Sequence, residues 1–574
     1  MRPAVKNNKY NKVRKAISTD YRSRLKFIKL LVVIWVLAIC YRLASLQLIS
    51  PDQWISWANK QHLSQIKLAG QRGRILDRRD QVLAVSVPTA SVFVRPGDVE
   101  DKSAMANLLS KHLKIDLALV EKKLNSSSPF VWVKRQIPRY QAEQVIATDL
   151  DGVGAVTEAK RYYPFSEAAS TLIGKVGTDG NGLSGLEAVY EKILNPKEQT
   201  YFYYRDALGK KIAQADSSSG ALNLGVGKDL KLSIDIELQQ IANQQLSAAI
   251  MEHKAERALA ILIDADNGNI LAMSQAPAIN FNSGKIKSRQ DLINFASQAV
   301  YEPGSTFKPV VAALALDDGV VEIDQVFDTE NGSFQIGRRT VKDVHGSDRL
   351  SVEDIVVQSS NIGMSKIAFE MGKEPLYNGL RKFGFGSKTN LVLPGESGGI
   401  LRNYKNWADI DFATHSFGQG VAVTALQLVR AFAALVNGGK LYDLQLMGEE
   451  SPPGKQIISK EVSQMMKHTL VQVVESEHGT GKRTQIDGVV VGGKTGTAQK
   501  AKTDGRGYEQ GAYLASFIGF ADGNTLGIDQ RLVLLVMVDE PRGKSHYGGT
   551  VAGPAFKNII TESLYLIGMR ENLS

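Results

Sequence analysis

The first residues that point to chemistry lie in the segment Glu302-Pro-Gly-Ser-Thr-Phe-Lys308. Pro303 and Gly304 predict a turn, and the apolar run that follows predicts a helix. Ser305 then lies at the helix start, and Lys308 lies one turn further on the same face. A serine hydroxyl is a poor nucleophile until a base removes its proton, and a lysine whose pKa is lowered by burial is such a base. The segment predicts a nucleophilic Ser305 activated by Lys308, although Ser-x-x-Lys alone is also typical of a solvated helix surface.

A second segment, Ser359-Ser-Asn361, follows Leu350–Ile355, which has the pattern of a helix start. Ser359 is suited to relay a proton between Lys308 and a leaving amine. Asn361 is suited to hold a substrate carbonyl or to orient Lys308. The alternative interpretation of this segment is a helix N-cap, which Ser and Asn commonly form.

A third segment, Gly492-Gly-Lys-Thr-Gly-Thr497, ends the β-rich run Val489–Val491. A strand edge that carries a lysine and two hydroxyls suits the C-terminal carboxylate of a peptide, and a glycine there lets a substrate backbone approach closely. Gly-Lys-Thr also occurs in phosphate-binding loops, but the residues before it are apolar β-formers, so we do not expect ATP binding. The predicted substrate-binding residues are Lys494, Thr495, Gly496 and Thr497.

The elements that must position these segments form an α+β pattern. Two β-rich runs, Ala258–Asp264 and Ile270–Met273, flank turn residues and predict a hairpin. Ala515–Phe520 and Leu532–Val538 predict two adjacent strands near the C-terminus, and helical patterns such as Leu426–Val436 lie between the early and the late strands. We therefore expect one sheet that is assembled from both ends of the domain, with a helical lobe beside it.

The charge of the chain is concentrated at its N-terminus. The formal net charge is +10, yet residues 1–29 contain ten Lys and Arg residues and one acid, Asp20. The basicity is therefore a tail and not a nucleic-acid-binding face. Residues 30–49 follow as an apolar run of about the length of a bilayer core. A cleaved signal peptide is the alternative, but the run is long for one and has no clear cleavage site.

The single cysteine, Cys40, lies in this apolar run, so the chain forms no internal disulfide. The eight histidines are scattered, and we predict no metal site and no cofactor. Because the basic side of an anchor stays in the cytoplasm, we expect residues 50–574 to lie outside it.

Together, in this order, the three segments resemble the set found in β-lactamases and penicillin-binding proteins. The sequence resembles the class B penicillin-binding proteins over nearly its whole length after the anchor. Further segments that carry this resemblance are Arg72–Arg78, Arg161–Pro164, Gly185–Glu187, Ser416–Gly420, Val423-Thr424 and Tyr547–Gly549.

Within the family, the chain is similar to the division-specific branch. Leu83–Val87, the two tyrosines before Pro164 and Tyr547–Gly549 carry this likeness. One departure is Arg79-Asp80, where the family often has a glycine after the arginine.

The resemblance implies a single-pass protein of the inner (cytoplasmic) membrane whose catalytic domain lies in the periplasm. The implied domain organisation is a basic cytoplasmic tail (1–29), a transmembrane anchor (30–49), a non-catalytic pedestal domain (50–225) and a transpeptidase domain of the penicillin-binding and serine β-lactamase fold (226–574).

The resemblance also implies the activity of a D-Ala-D-Ala transpeptidase or carboxypeptidase. Ser305 attacks the penultimate D-Ala carbonyl of a stem peptide, Lys308 acts as base, and Ser359 and Asn361 assist. Backbone N–H groups of Ser305 and Thr497 form the oxyanion hole. β-Lactams stall this reaction at the acyl-enzyme. The implied partners are an FtsW-like membrane glycosyltransferase and other division proteins. Nucleic acid is not an expected partner.

Several alternatives remain. A cell-elongation transpeptidase of the same class shares all these features. A β-lactamase needs a further base, but the pattern Glu-x-x-Leu-Asn is missing, and Glu396 is followed by Gly399-Ile400 instead. A β-lactam sensor or a pure scaffold would not need the complete set of nucleophile, base and carboxylate clamp. Scaffolding in addition to catalysis is expected, because residues 50–225 contain no catalytic motif.

Overall fold

The computed structural model describes residues 9–49, 56–57, 63–68, 70–196, 199–205, 211–214, 225–283, 286, 288–447, 452–502 and 507–571. Contacts within the chain divide it into two compact units. One consists of Met1–Gly70 with Lys197–Gly225, and the other of Gln71–Pro196 with Val226–Ser574. The predicted loop Asp216–Gly220 lies outside the described residues.

The strands, in chain order, are β1 (Leu63–Leu68), β2 (Ile75–Leu76), β3 (Val82–Val94), β4 (Val131–Ile137), β5 (Val153–Tyr162), β6 (Gln199–Arg205), β7 (Lys211–Gln214), β8 (Leu230–Lys231), β9 (Arg257–Asp264), β10 (Ile270–Ala276), β11 (Val326–Asp328), β12 (Ser333–Ile336), β13 (Arg339–Lys342), β14 (Arg349–Ser351), β15 (Lys440–Leu441), β16 (Lys455–Gln456), β17 (Val490–Ala501), β18 (Tyr508–Asp522) and β19 (Arg531–Asp539).

The α-helices are α1 (Lys9–Ala44), α2 (Lys102–Leu113), α3 (Leu117–Leu124), α4 (Arg139–Ile146), α5 (Ser170–Ile173), α6 (Gly185–Val189), α7 (Glu191–Leu194), α8 (Ile236–His253), α9 (Phe295–Gln298), α10 (Lys308–Asp317), α11 (Val352–Val357), α12 (Asn361–Met371), α13 (Lys373–Lys382), α14 (Asp409–Ser416), α15 (Ala425–Val436), α16 (Lys460–Glu475), α17 (Gly548–Val551) and α18 (Gly553–Glu571).

The first unit contains the long N-terminal helix. Helix α1 continues into a π-helical turn, Ser45–Ile49. Its stretch Tyr21–Gln47 is long and apolar enough to cross a membrane, and none of its most apolar window is buried inside the protein. This helix fits a single-pass membrane anchor. Strands β1, β6 and β7 of the same unit form a small antiparallel sheet.

The main sheet of the second unit is antiparallel, with the strand order β10-β9-β19-β18-β17. The predicted hairpin is present as β9 and β10, and the predicted C-terminal strands pair as β18 and β19. The sheet is therefore assembled from both ends of the domain, as the sequence predicts. Strand β17 carries the third motif along an edge of this sheet, so Gly-Lys-Thr lies inside a strand and not in a phosphate loop.

Helices cover both faces of this sheet. On one face, α10, α15 and α16 bury Val310, Phe432 and Leu470 against Ile518 and Phe520. On the other face, helices α8 and α18 pack their apolar sides against the same strands. Burial on both faces explains why β18 and β19 are nearly continuous apolar runs. The predicted helix Leu426–Val436 is α15, which begins one residue earlier because Thr424 and Gln427 form a capping box.

A further sheet of the second unit has the strand order β4-β3-β2-β8, and β5 also pairs with β3. A buried carboxylate joins three of the segments that carry the family resemblance. Glu187 Oε2 accepts from Arg72 Nε at 2.7 Å, and Glu187 Oε1 accepts from Arg161 Nε at 2.6 Å. All three side chains are buried. Two guanidinium groups thus share one carboxylate away from water.

The departure at Arg79-Asp80 lies in a turn between β2 and β3. Asp80 has a φ of +63°, a left-handed conformation that favours glycine. Aspartate is among the residues that tolerate this region, so the turn forms without glycine. The turn is further held by Asp77 Oδ1, which accepts from the backbone N–H groups of Arg79 at 2.7 Å and Gln81 at 2.8 Å.

We predict that Glu187→Gln lowers the free energy of unfolding by about 3 kcal/mol, because it removes the carboxylate paired with the buried guanidinium of Arg161 and leaves Arg72 with Glu191 alone. Urea unfolding of the full chain in detergent measures the change. Glu330→Gln is the control, since Glu330 pairs with Lys366 at the surface and its loss costs less than about 1 kcal/mol. Equal effects of the two substitutions would contradict the prediction.

Candidate active site

The nucleophile candidate lies on a tight turn between the sheet and the helical lobe. Gly304–Phe307 form a 3₁₀ turn that leads directly into α10, which begins at Lys308. Gly304 has a φ of +57°, and its N–H donates to the Gly418 carbonyl at 3.0 Å. The residues on either side of Ser305, Gly304 and Thr306, are buried, whereas Ser305 itself is partly exposed. The turn therefore presents one hydroxyl to solvent from a buried backbone.

Lys308 is fully buried, and the structure brings it into contact with the second motif. Its Nζ donates to the Ser359 carbonyl at 2.5 Å and to Ser359 Oγ at 3.2 Å. Ser359 has a φ of +66°, a strained conformation for a serine that is typical of functional sites. Burial lowers the pKa of Lys308 well below its ordinary value, and the nearby charge of Lys494 lowers that pKa further. Lys308 is therefore a buried amine with a lowered pKa in direct contact with Ser359.

The rest of the second motif forms the start of α12. Ser360 is the N-cap, because its hydroxyl accepts from the Gly363 N–H at 2.9 Å. Asn361 Nδ2 donates to the Lys342 carbonyl at 2.9 Å. The N-cap interpretation is thus correct for Ser360, while Ser359 and Asn361 face other partners.

Asp343 supports the second motif and was not expected from the sequence. It accepts from Ser360 Oγ at 2.6 Å and from the N–H groups of Asn361 at 2.5 Å and Ile362 at 3.1 Å. Its charge also acts on Lys308, whose pKa it raises. No spacing in the sequence links Asp343 to the second motif. Its position directly after β13 and before α11 is the only sequence feature that could have indicated this role.

Lys494 lies on β17 and is also fully buried. Burial lowers its pKa to about 7. The first and third motifs lie close together, since a Cβ on Gly496 would lie 2.7 Å from Thr306 Cγ2. Thr495 Oγ1 donates to Thr480 Oγ1 at 3.0 Å, and Thr497 Oγ1 accepts from the Gly548 N–H at 3.1 Å. The third motif is therefore held by two segments outside it.

Thr480 and Gly548 differ in how far the sequence pointed to them. Gly548 belongs to Tyr547–Gly549, which carries the family resemblance. Thr480 lies between two glycines, and only this turn pattern could have signalled it.

Gly496 allows β17 to approach the Ser305 turn. A Cβ on this glycine would lie 2.7 Å from Thr306 Cγ2 and 2.4 Å from Ser516 Oγ, closer than real Cβ atoms come. A Cβ on Gly548 would lie 2.3 Å from the Gly496 carbonyl. The two glycines thus fix the spacing between the turn, the strand and helix α17. The sequence predicts that Gly496 lets a substrate backbone approach, and these contacts within the protein are a second reason for a glycine at this position.

Glu302 ties the turn to two further elements. Its carboxylate accepts from the Gly420 N–H at 2.8 Å and from the Tyr508 hydroxyl at 2.9 Å. Burial and the Glu302 charge raise the pKa of Tyr508, so this phenol stays protonated as a donor. Glu302 therefore joins the residues before Ser305 to the loop after α14 and to the start of β18.

Taken together, the site contains a partly exposed serine, a buried amine beside it, and a second buried lysine with two hydroxyls on an edge strand. Among the described residues, no group of three or more His, Cys, Asp or Glu side chains could hold a metal ion. A serine hydroxyl, a buried amine and a lysine with two hydroxyls on an edge strand are the groups that a serine acyltransferase needs.

Comparisons with known proteins agree with this class. Residues 258–561 match the penicillin-binding protein transpeptidase domain, and residues 67–232 match the penicillin-binding protein dimerisation domain. The chain is 35% identical over 506 residues to a probable peptidoglycan D,D-transpeptidase, PenA, of Neisseria gonorrhoeae, covering 88% of this chain and 85% of that one. It is 32% identical over 527 residues to the peptidoglycan D,D-transpeptidase FtsI of Escherichia coli, covering 90% and 87%.

A solved structure shares the fold. Penicillin Binding Protein 2X from Streptococcus thermophilus superposes with a TM-score of 0.71 and 22% identity, over 88% of this chain and 80% of that one. The chain belongs to the class B penicillin-binding proteins and is a peptidoglycan D,D-transpeptidase.

We predict that Gly496→Ala slows acylation by benzylpenicillin by roughly tenfold to a hundredfold while the chain still folds, because the new methyl displaces the Ser305 turn. The rate is measured with a fluorescent penicillin. Gly97→Ala is the control, since a Cβ there meets no atom within 4 Å. A normal rate for Gly496→Ala would show that the turn does not depend on this close approach.

Proposed function

We propose that the chain cross-links peptidoglycan stem peptides at the division septum through an acyl-enzyme on Ser305. One observation carries this proposal. Lys308 is buried at the foot of the Ser305 turn, and its Nζ bonds to both oxygen atoms of Ser359. A buried amine whose pKa is well below its ordinary value is suited to take up a proton, and the Ser359 hydroxyl lies within hydrogen-bond distance of it.

The acylation step follows from this geometry. Ser305 Oγ bonds to the carbonyl carbon of the penultimate D-Ala, and its proton passes to Lys308 Nζ. The N–H groups of Ser305 and Thr497 hold the resulting oxyanion. Collapse breaks the C–N bond, and the departing D-Ala amine takes the proton from Lys308 through Ser359. Asn361 assists by positioning the donor peptide.

The second step restores Ser305. The amine of a neighbouring stem peptide attacks the ester carbonyl, loses its proton to Lys308, and becomes the new amide nitrogen as Ser305 takes a proton back. Water in place of the amine gives the carboxypeptidase product. A β-lactam forms the same ester but stays attached, so it inhibits the enzyme.

The two buried lysines carry different tasks in this scheme. Lys494, with Thr495 and Thr497, clamps the terminal carboxylate and acts as a cation, whereas Lys308 must be neutral. Two ammonium groups in one low-dielectric site repel each other, so protonation of Lys494 favours the neutral form of Lys308. Binding of an anionic carboxylate then stabilises the protonated form of Lys494.

The domain organisation and location belong to the same proposal. Residues 1–29 form a cytoplasmic tail, 30–49 the transmembrane anchor, 50–225 the pedestal and 226–574 the transpeptidase domain. The basic tail favours a cytoplasmic N-terminus and a periplasmic active site at the inner membrane. An FtsW-like glycosyltransferase that makes the glycan strands is the partner we propose, together with other division proteins.

A division role rests on the likeness to the division-specific branch, and elongation is the second candidate. Depletion in cells separates the two. Filaments would support division, whereas round cells would support elongation.

We predict that Ser305 alone is acylated by penicillin and that Lys308→Arg lowers the acylation rate by orders of magnitude, because arginine stays protonated. In the native enzyme the rate should rise with pH as Lys308 loses its proton, with a midpoint well below 10.5. Lys494→Met should move this midpoint upward, because it removes the neighbouring positive charge.

Intact-mass spectrometry with peptide mapping identifies the labelled serine, and a fluorescent penicillin gives the rates. Ser305→Ala is the control that should take no label. Label on another serine, or near-normal acylation of Lys308→Arg, would refute the assignment.

We further predict that Lys494→Ala and Thr495→Val slow acylation by a penicillin about tenfold to a hundredfold, since a charge-assisted hydrogen bond contributes about 1.5–3 kcal/mol. A matched amide of the penicillin, which lacks the carboxylate, should react equally slowly with the native enzyme and with both variants. Equal losses on the two ligands would show that the motif supports the fold and not a carboxylate.

A further inference from the structure

A polar cavity of about 320 Å³ lies at the end of the main sheet that is remote from Ser305. On one side it is lined by the end of β9, the turn before β10, and Gln530, which directly precedes β19. On the other side it is lined by Arg78, which follows β2, and by the residues that end and follow β8. Parts of two different sheets therefore contribute to its walls.

The register of the main sheet places this cavity far from the proposed reaction. Through β18 and β19, Thr497 aligns with Ala258 near the start of β9. The Thr497 carbonyl adjoins the turn that carries Ser305. Asp264, which lines the cavity, is the last residue of β9. A strand rises about 3.3 Å per residue, so the cavity lies roughly 20 Å along the sheet from the Ser305 turn.

Most hydrogen-bond donors in the wall of the cavity are already paired. Lys231 Nζ forms an ion pair with Asp80 Oδ1 at 2.8 Å. Asn267 Nδ2 donates to Asp264 Oδ2 at 2.8 Å, and Ser233 Oγ donates to the first carbonyl of β10 at 2.8 Å. These donors are therefore committed to partners within the protein.

Two acceptors and one cation of the wall have no such partner. Asn269 Oδ1 and Gln530 Oε1 are buried and accept no hydrogen bond from any described residue. Arg78 is exposed toward the cavity and forms no ion pair within the described ranges. Burial raises the pKa of Asp264, and the nearby charge of Arg78 opposes that rise. Buried acceptors in folded proteins nearly always have a donor, so these two oxygen atoms point to a bound group that supplies one.

The charges around the cavity restrict the class of ligand. An inorganic cation would suit the oxygen atoms, but Arg78 would repel it. An inorganic anion would suit Arg78, but it would face Asp264 and two amide oxygens. Water would leave the guanidinium without a counter-charge.

A zwitterion suits both sides of the cavity. Its ammonium group donates to the two amide oxygens beside Asp264, and its carboxylate pairs with the guanidinium of Arg78. The cavity has roughly the volume that ten water molecules occupy in the liquid, so a free α-amino acid fits inside it.

We propose that this cavity binds a free α-amino acid as a zwitterion, with its carboxylate on Arg78 and its ammonium group on Asn269 and Gln530. The bound amino acid connects the turn after β2 to the end of the main sheet. The site makes no use of Ser305, so it is independent of the proposed acylation.

The test is equilibrium dialysis of radiolabelled D-alanine against the full chain in detergent, before and after acylation of Ser305 by benzylpenicillin. D-Alanine is the probe because the proposed reaction releases it, and acylation excludes its binding at the active site. Mass spectrometry confirms the acylation. We expect one saturable site per chain in both states, with a Kd on the order of 1 mM or below, which a ligand of this size can reach.

Two analogues and two variants test the assigned contacts. D-Lactate has a hydroxyl in place of the ammonium group and ethylamine lacks the carboxylate, so each should compete at least about tenfold more weakly than unlabelled D-alanine. Arg78→Gln should weaken the binding of D-alanine about tenfold, and Gln530→Leu about fivefold, because each removes one partner. Arg79→Gln is the matched control. Arg79 is an exposed arginine of the same turn that does not line the cavity, and its loss should leave the Kd unchanged.

The outcomes separate this inference from the proposed function. If the native chain shows no saturable binding, the cavity holds water only and the proposal is overturned. Binding that disappears on acylation of Ser305 would place D-alanine in the active site, and equal weakening by Arg78→Gln and Arg79→Gln would show that no specific contact exists. Either result also overturns the proposal.

The penicillin label reports folding, since it should form at the normal rate in all three variants. If Gln530→Leu does not fold, Arg78→Gln and the two analogues still decide the question. Absence of the label in the native chain would count against the proposed function and not against this site.

Discussion

The active site depends on keeping the amine of Lys308 out of water. Removing an ion from water costs several kcal/mol even after the protein relaxes, so a fully buried lysine must be neutral or well paired. Helix α10 achieves this burial because its first eight residues are all buried. The strained φ of Ser359 then turns both the carbonyl and the hydroxyl of one serine toward the amine. The fold thus lowers the pKa of this amine well below its ordinary value by desolvating it.

The same burial requires three chain segments to approach each other closely. A Cβ on Gly418 would lie 2.4 Å from the Gly304 carbonyl, and one on Gly496 would meet Thr306 on the far side of the same turn. The Ser305 turn is therefore held closely between a loop and an edge strand. Interiors this dense transmit displacement, so the position of the nucleophile depends on the absence of a side chain at Gly418 and Gly496. Glu302 adds a polar tie from the same turn to Gly420 and Tyr508.

Much of this architecture could be predicted from the sequence, for local reasons. The hairpin of β9 and β10, the pair β18 and β19, and helix α15 each have the periodicity and the flanking turn residues of their class. The three motifs were found because their spacing within each segment is short and fixed.

The contacts between distant segments could not be predicted. Asp343 supports Ser360 and Asn361, Thr480 holds Thr495, and Tyr508 bonds to Glu302 206 residues away. Each is a single ordinary residue whose partner is set by the fold. Glu187 is similar: the sequence showed the three segments that meet there but not that two arginines share one carboxylate. At Asp80 the family pattern has glycine, and the structure shows why an aspartate can replace it, since the position requires a positive φ that Asp tolerates.

The carboxylates around the site also bear on how long an acyl-enzyme survives. A hydrolase needs a carboxylate or similar base with a free lone pair aimed at water. Glu396 Oε1 instead accepts from the N–H and the hydroxyl of Thr389, at 2.7 and 2.6 Å, and lies buried in its own loop. The carboxylate of Asp343 accepts from backbone N–H groups at the start of α12. The carboxylate of Glu302 accepts from the Gly420 N–H and the Tyr508 hydroxyl.

These three carboxylates, which the sequence or the structure places near the motifs, are all engaged in holding the backbone. Under the proposed mechanism, Lys308 is then the base for deacylation. An incoming amine is a better nucleophile than water, so Lys308 promotes attack by the amine more effectively than attack by water. Under the same mechanism, an ester formed by a β-lactam keeps its amine attached, and none of these three carboxylates is free to activate water. The persistence that we propose for this ester then depends on the same hydrogen bonds that hold the Ser305 turn and the second motif in place.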